Sequence, residues 1–143
     1  MSYFLKLNLV SIYYGLMFVI SIELQVNYYR MLRLTGWKGQ QIDIFLFLVH
    51  AIGWIAGSII LYKLTAKWLA RRRLVYVTTI LWLPYSIIFT FLFASIFPIT
   101  NQGDSPAPVQ GLILFAMIFS FPFYIAILNF LCRFLSADNA QRL

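Results

Sequence analysis

Four long apolar runs, separated by short polar connectors, occupy most of the chain. The runs cover residues 4–26, 42–62, 74–97 and 109–132. Each run approaches or exceeds the about 20 residues that an α-helix needs to cross a bilayer. The pattern predicts an all-α integral membrane protein whose four transmembrane helices form an antiparallel bundle. We expect residues 1–143 to form this single domain, with no soluble domain.

Composition supports the same class. Hydrophobic residues make up 62% of the 143 residues and charged residues only 10%. A soluble domain of this length has too little interior to hide so much apolar surface. The apolar excess therefore predicts contact with lipid.

The positive charges are unevenly distributed. The net charge is +7, and the connector between the second and third runs holds five cations: Lys63, Lys67, Arg71, Arg72 and Arg73. The connector from 98 to 110 holds a single charged residue, Asp104. Because cytoplasmic connectors collect Lys and Arg, we expect both termini in the cytoplasm (N-in/C-in) and a bacterial inner membrane. The five cations are expected to contact anionic lipid headgroups, with a docking patch for a cytosolic protein as the alternative; nucleic acid is not an expected partner.

The connectors at the opposite end carry a second set of charges. The first helix is expected to continue past the membrane and to end at Gly36. Its end and the start of the second helix bring together five charged residues: Glu23, Arg30, Arg33, Lys38 and Asp43. We expect them to form an outer ring that locks the first hairpin by salt bridges, and the alternative is an ion-coupling site. In the third connector, Asp104 and Ser105 are expected to cap the fourth helix.

His50 is the most unusual residue within the apolar runs, because eight residues after Ile42 place it close to mid-bilayer. At that depth an imidazole must be neutral, hydrogen-bonded or in contact with water. We expect an interhelical hydrogen bond, with a proton relay or ligand contact as the alternative. Glu23 and Asp43 are the other acidic candidates for such a site.

Small residues follow His50 along the same helix. Gly53 and Gly57 form a Gly-x-x-x-Gly pair that Ser58 follows. This spacing lets another backbone approach closely, which is typical of helix association in lipid. The pattern predicts a face for helix packing or for a partner, either internal, a second copy or another protein.

The sequence offers no convergent reactive groups. We therefore predict that the chain is not an enzyme and has no catalytic residues, no cofactor and no metal site; Cys132 is its single cysteine. The favoured function is binding to another membrane protein or to a second copy, as an accessory or assembly subunit or as an immunity-type protein. The alternative is a small oligomeric transporter or channel for an ion or small molecule that uses Glu23 and His50.

Two resemblances accompany these predictions. Four helices with an acidic residue, Glu23, in the first one are similar to small multidrug-resistance exporters, although Glu23 lies near the end of its helix and the membrane glutamate of that family lies deeper. The general plan of a small polytopic protein also resembles the immunity proteins of pore-forming colicins, which would imply recognition of a membrane-inserted toxin. Neither resemblance carries binding residues over to this chain.

Overall fold

The computed structural model describes residues 2–70 and 72–141, and this part of the chain is helical with no β-strand. Its elements are α1 (Tyr3–Val26), α2 (Tyr28–Thr35), α3 (Gly39–Trp68), a 3-10 turn (Arg73–Val77), α4 (Thr78–Ile96), a second 3-10 turn (Gln102–Asp104) and α5 (Pro108–Gln141). Four segments of the described chain are long and apolar enough to cross a membrane: Tyr3–Val26, Gly39–Trp68, Arg73–Ile96 and Pro108–Leu135. The prediction of an all-helical chain with four such helices is confirmed.

The first helix ends earlier than expected. Helix α1 stops at Val26, and Asn27 separates it from α2. The Asn27 amide donates to the Glu23 backbone carbonyl at 2.9 Å and to the Glu23 carboxylate at 3.1 Å. An asparagine that bonds to the backbone in this way competes with the regular helical ladder. Gly36 ends α2 in the left-handed conformation with φ 67°, so the predicted stop at that glycine is confirmed.

The prediction that Asp104 and Ser105 cap the last helix is wrong. Helix α5 begins at Pro108, whose fixed φ suits the first turn of a helix. Asp104 instead ends the second 3-10 turn and is only 2% exposed. The carboxylate is therefore turned toward the protein, where it meets the arginines of α2.

Contacts between the helices fix their directions. Near opposite ends of α1, Tyr3 contacts the Leu69 carbonyl and His50 of α3 contacts the Ser21 carbonyl, so α1 and α3 are antiparallel. The Asn129 amide of α5 donates to Thr78 at the start of α4 at 2.9 Å, whereas Phe121, earlier in α5, packs against Trp82, later in α4, so α4 and α5 are antiparallel. Helix α1 packs against α3, α4 and α5 and has the most buried span of the four.

The centre of the bundle is filled by aromatic rings. Phe121 of α5 is 1% exposed and lies against rings from every spanning helix, with centroid distances from 4.7 to 6.3 Å. Its neighbours are Tyr14 and Phe18 of α1, Trp54 of α3, Trp82 of α4 and Tyr124 of α5. The contacts with Tyr14, Trp54 and Trp82 are edge-to-face, an arrangement that stabilises aromatic pairs beyond the area they bury.

Candidate functional site

A groove of about 180 Å³ runs between α1 and α3, and we call it the α1–α3 groove. Its lining is mostly apolar and includes Tyr13, Leu16, Met17, Ile20 and Leu24 of α1, and Val49 and Gly57 of α3. The polar or open positions are Ser21 on one wall and His50, Gly53 and Trp54 on the other. Concave, mostly apolar surfaces with a few placed polar groups are typical of binding sites.

His50 joins the two walls of the groove. Its Nδ1 lies 2.7 Å from the Leu46 carbonyl oxygen in the same helix, and its Nε2 lies 3.2 Å from the Ser21 carbonyl oxygen of α1. Both oxygens accept hydrogen bonds and neither donates. A neutral imidazole carries one N–H, so it can satisfy one of the two oxygens at a time. The half-buried ring is thus an interhelical contact at the edge of the groove.

Ser21 is the residue of α1 on which these contacts converge. Its hydroxyl donates to the Met17 carbonyl at 3.0 Å and accepts from the indole nitrogen of Trp54 at 3.0 Å. Its backbone carbonyl meets His50. A serine hydroxyl that donates to the carbonyl one turn earlier can still accept a hydrogen bond through its oxygen. Ser21 therefore bonds within α1 and to α3 at the same time.

The small residues of α3 have different surroundings. A Cβ added to Gly57 would lie 2.6 Å from the Met17 sulfur, so this glycine is already covered by α1. The Ser58 hydroxyl lies 2.7 Å from the Tyr124 hydroxyl of α5. Gly53 is exposed, and a Cβ there would meet nothing within 4 Å. Of the predicted face, Gly53 alone is open, while Gly57 and Ser58 serve the packing within the chain.

Sequence reasoning missed the glycine with the closest backbone contact. A Cβ on Gly15 would lie 3.1 Å from the Ser86 nitrogen and 3.1 Å from the Trp82 carbonyl oxygen, both backbone atoms of α4. Ser11 lies four positions before Gly15, so the two form a small-x-x-x-small pair, and this spacing was the available signal. It was passed over because we considered only the pair with glycine at both positions.

Glu23 faces another part of the molecule. It lines a groove of about 400 Å³ between α1 and α4, together with Phe93 and Phe97. Its carboxylate accepts from the Asn27 amide. Glu23 and His50 therefore line different grooves, which adjoin at Ile20 and Leu24, and neither groove is lined by both of them.

The arginines of the predicted outer ring pair with an acid that we did not expect, Asp104. Arg33 donates to both carboxylate oxygens of Asp104, from Nε and from Nη2, each at 2.8 Å. Arg30 Nε lies 3.7 Å from the same carboxylate, and its Nη2 donates to the Pro98 carbonyl at 2.7 Å. The hydrogen bonds from Arg33, assisted by the charge of Arg30, hold the pKa of Asp104 below its usual range. These contacts tie α2 to the connector that precedes α5.

Asp43 and Lys38 lie apart from this cluster. Asp43 is exposed, and the Tyr28 hydroxyl donates to the Gly39 carbonyl at 3.5 Å. The pKa of Tyr28 is raised first by burial and then by the Asp43 carboxylate. The Lys38 backbone N–H donates to the Gln41 side chain at 2.9 Å, which caps the start of α3. The structure thus brings Arg30 and Arg33 together, with Asp104 as their acid.

The opposite end of the bundle, where α3 leads into the Arg73–Val77 turn, is the basic end. Lys63 and Lys67 are exposed on α3, and Arg73 is exposed at the start of the turn. The Arg72 guanidinium lies 5.0 Å from the centre of the Tyr3 ring, within the range of a cation–π contact. Arg71 lies outside the described residues.

Within the described ranges, no three His, Cys, Asp or Glu side chains lie close enough together to hold a metal ion. Comparison of the chain with family models, curated proteins and solved structures gives no match.

Proposed function

We propose that this chain is a small polytopic membrane protein that acts by binding another membrane protein through the α1–α3 groove, as an accessory or assembly subunit without catalysis. The observation that carries the proposal is the open helical glycine Gly53 beside His50 on a concave wall. A partner helix can approach closely at such a glycine, and in lipid this close approach is a main source of helix association.

The filled centre of the bundle also favours binding. Phe121 and its neighbouring rings occupy the space between the four helices. A transport path through one copy would have to cross these rings. Transport that uses Glu23 and His50 is further disfavoured because the two side chains face different grooves. The lateral surface of the bundle is the better place for a binding function.

We further propose an N-in/C-in orientation in a bacterial inner membrane. The distribution of cations supports this orientation: the basic end carries Lys63, Lys67, Arg72 and Arg73, whereas Arg30 and Arg33 at the opposite end are engaged with Asp104. Lys and Arg in short connectors near the ends of spans are retained on the cytoplasmic side, and the basic end holds more of them than the opposite end. Accessibility of cysteines introduced near each end to a membrane-impermeant thiol reagent tests this orientation, with Cys132 replaced by Ser.

Site-specific photo-crosslinking tests the groove. A photoreactive phenylalanine analogue at Val49, which lines the groove one turn from Gly53, is compared with the same residue at Val109, an exposed valine of α5. Gly53 itself is left unchanged. We expect a discrete heterologous adduct from position 49 and none from position 109. A homodimer adduct from position 49, or the same adducts from both positions, would contradict the proposal.

A further inference from the structure

The basic end contains a cavity of about 460 Å³ that is distinct from the α1–α3 groove. We call it the basic-end cavity, and its lining is Arg73, Tyr76, Phe130, Arg133 and Phe134. Arg73 begins the third spanning segment, and Arg133 lies two residues before the end of the fourth. Both arginines are therefore at the depth where a span meets the headgroup region.

The fold fixes the two walls of this cavity relative to each other. The fully buried Asn129 amide of α5 donates to the Thr78 hydroxyl at 2.9 Å and to the Val75 carbonyl at 3.3 Å. Asn129 lies one helical turn before Arg133, and Val75 belongs to the turn that Arg73 begins. These hydrogen bonds hold the Arg73 turn beside the Arg133 face of α5.

Arg133 has an unused hydrogen-bond donor. Its Nη1 is buried and has no hydrogen-bond partner among the described residues. Its guanidinium carbon lies 5.7 Å from the centre of the Tyr76 ring, which holds the group over an aromatic face. Arg133 also lines the cavity, and no described carboxylate does, so the charge of its guanidinium has no counter-ion there. A cation without a counter-ion at this depth is costly, and the geometry points to an anionic group from outside the described chain that contacts the part of the guanidinium facing the cavity.

The chemistry of the lining identifies the acceptor. A guanidinium offers parallel N–H donors that match phosphate oxygens, and two arginines line this cavity. Phe130 and Phe134 are 57% and 62% exposed on the adjoining surface of α5. Rings at this depth suit the glycerol and upper acyl region of a lipid whose phosphate lies between the arginines.

We propose that the basic-end cavity binds the phosphate of an anionic membrane phospholipid. Arg73 and Arg133 contact the phosphate, and the aromatic side chains contact the apolar part of the same lipid. The arginines also repel the cationic headgroup of a zwitterionic lipid, because no described carboxylate lines the cavity to offset them. This site differs from general attraction of anionic lipid to the exposed side chains of Lys63 and Lys67, and it does not depend on the proposed protein partner.

Native mass spectrometry of the full chain tests the proposal. The protein in neutral detergent is mixed with phosphatidylglycerol or phosphatidylcholine, and the retained lipid is counted for wild type, Arg133→Gln, Arg73→Gln, Lys63→Gln and Lys67→Gln. We expect wild type to prefer phosphatidylglycerol. Loss of a charge-assisted hydrogen bond should weaken retention about tenfold in each arginine variant, whereas each lysine variant should stay within about twofold of wild type.

The outcomes distinguish a specific phospholipid site from diffuse charge attraction and from a site for a soluble anion. Equal losses in the arginine and lysine variants would show diffuse charge attraction and overturn the proposal, as would unchanged retention in both arginine variants. Displacement of the lipid by millimolar inorganic phosphate would identify a site for a soluble anion and would also overturn it. Tryptophan fluorescence during thermal unfolding verifies that the variants fold; if Arg133→Gln does not, the exposed Arg73→Gln carries the test.

Discussion

The two sides of α1 pack in different ways. Toward α4, Gly15 brings the two backbones so close that a methyl group there would lie 3.1 Å from backbone atoms of α4, tighter than an ordinary contact, and Asn8 accepts a hydrogen bond from Tyr85. Toward α3, the contact is made by side chains around Ser21 and leaves the groove at Gly53 open. At the level of Gly15 the α4 side is therefore fixed by backbone contact, although the groove at Glu23 opens farther along it. The α3 side is fixed by side chains, and its groove is where we propose that a partner helix binds.

The largest expected effect comes from Phe121, whose aromatic ring contacts both α3 and α4. Phe121→Ala removes the side chain that contacts rings from all four spanning helices, and it leaves a cavity in the centre of the bundle. We expect the free energy of unfolding to fall by about 3 kcal/mol or more. Unfolding in mixed micelles with increasing sodium dodecyl sulfate measures the change.

Phe119→Ala is the matched control, because Phe119 lies two residues away on α5 and is 67% exposed. It should change the free energy of unfolding by about 0.5 kcal/mol or less. Similar losses in the two variants would mean that the centre is not the main packing unit.

A pair of identical substitutions tests the comparison directly. Gly15→Ala and Gly53→Ala gain the same intrinsic helix preference, so their difference reports the space around each Cβ. At Gly15 the new methyl group meets α4 backbone at 3.1 Å, and at Gly53 it meets nothing within 4 Å. We expect Gly15→Ala to be the less stable of the two by about 1–3 kcal/mol, measured by the same unfolding titration. Equal stabilities would remove the distinction between the two sides of α1.

The Asp104 cluster gives a smaller effect with a defined pH dependence. Because Arg33 lowers the pKa of Asp104 in the folded state, the pair stabilises the fold at pH values above the ordinary aspartate pKa of 3.8. This contribution is lost as the pH falls from there through the lowered pKa. The thermal unfolding midpoint of wild type should therefore decrease over this range by more than that of Asp104→Asn.

Arg33→Gln should reproduce the flatter pH profile of Asp104→Asn, because both variants remove the same pair. Asp43→Asn, which removes an exposed carboxylate, should keep the slope that Asp104 causes. A wild-type slope in Asp104→Asn would mean that another group is responsible.

The sequence predicted the spanning helices because a run of apolar residues alone decides whether a helix can lie in lipid. It also predicted the end of α2, since Gly36 adopts a conformation that other residues rarely reach. It did not predict the pairing of Arg33 with Asp104, because 71 positions separate them and their meeting depends on how the helices are arranged. For the same reason, Glu23 and Asp43 were the expected acids of the ring.

The candidate site was predicted only in part. The helical period of α3 placed His50 and Gly53 about one turn apart on the same helix, but the sequence did not indicate which residues of the other helices each would contact. Met17 covers Gly57 because its long side chain reaches across from α1, and Gly53, one turn away, has no such neighbour. Whether a position on one helix is covered depends on the side chains of the helix that packs against it. The sequence pattern of α3 alone does not contain that information.

The smallest expected effect comes from a single hydrogen bond between α1 and α3. The hydrogen bond from the Trp54 indole to the Ser21 hydroxyl is one of the polar links across the groove. Hydrogen bonds between membrane helices contribute about 0.6 kcal/mol on average, because polar groups in the unfolded state also find partners. A double-mutant cycle with Ser21→Ala and Trp54→Phe should therefore give a coupling of about 0.6 kcal/mol, since the cycle cancels the loss of indole packing against Phe121. A coupling of about 2 kcal/mol or more would mean that polar contacts fix the α3 side as firmly as backbone packing fixes the α4 side, and α1 would then have no adaptable side to offer a partner.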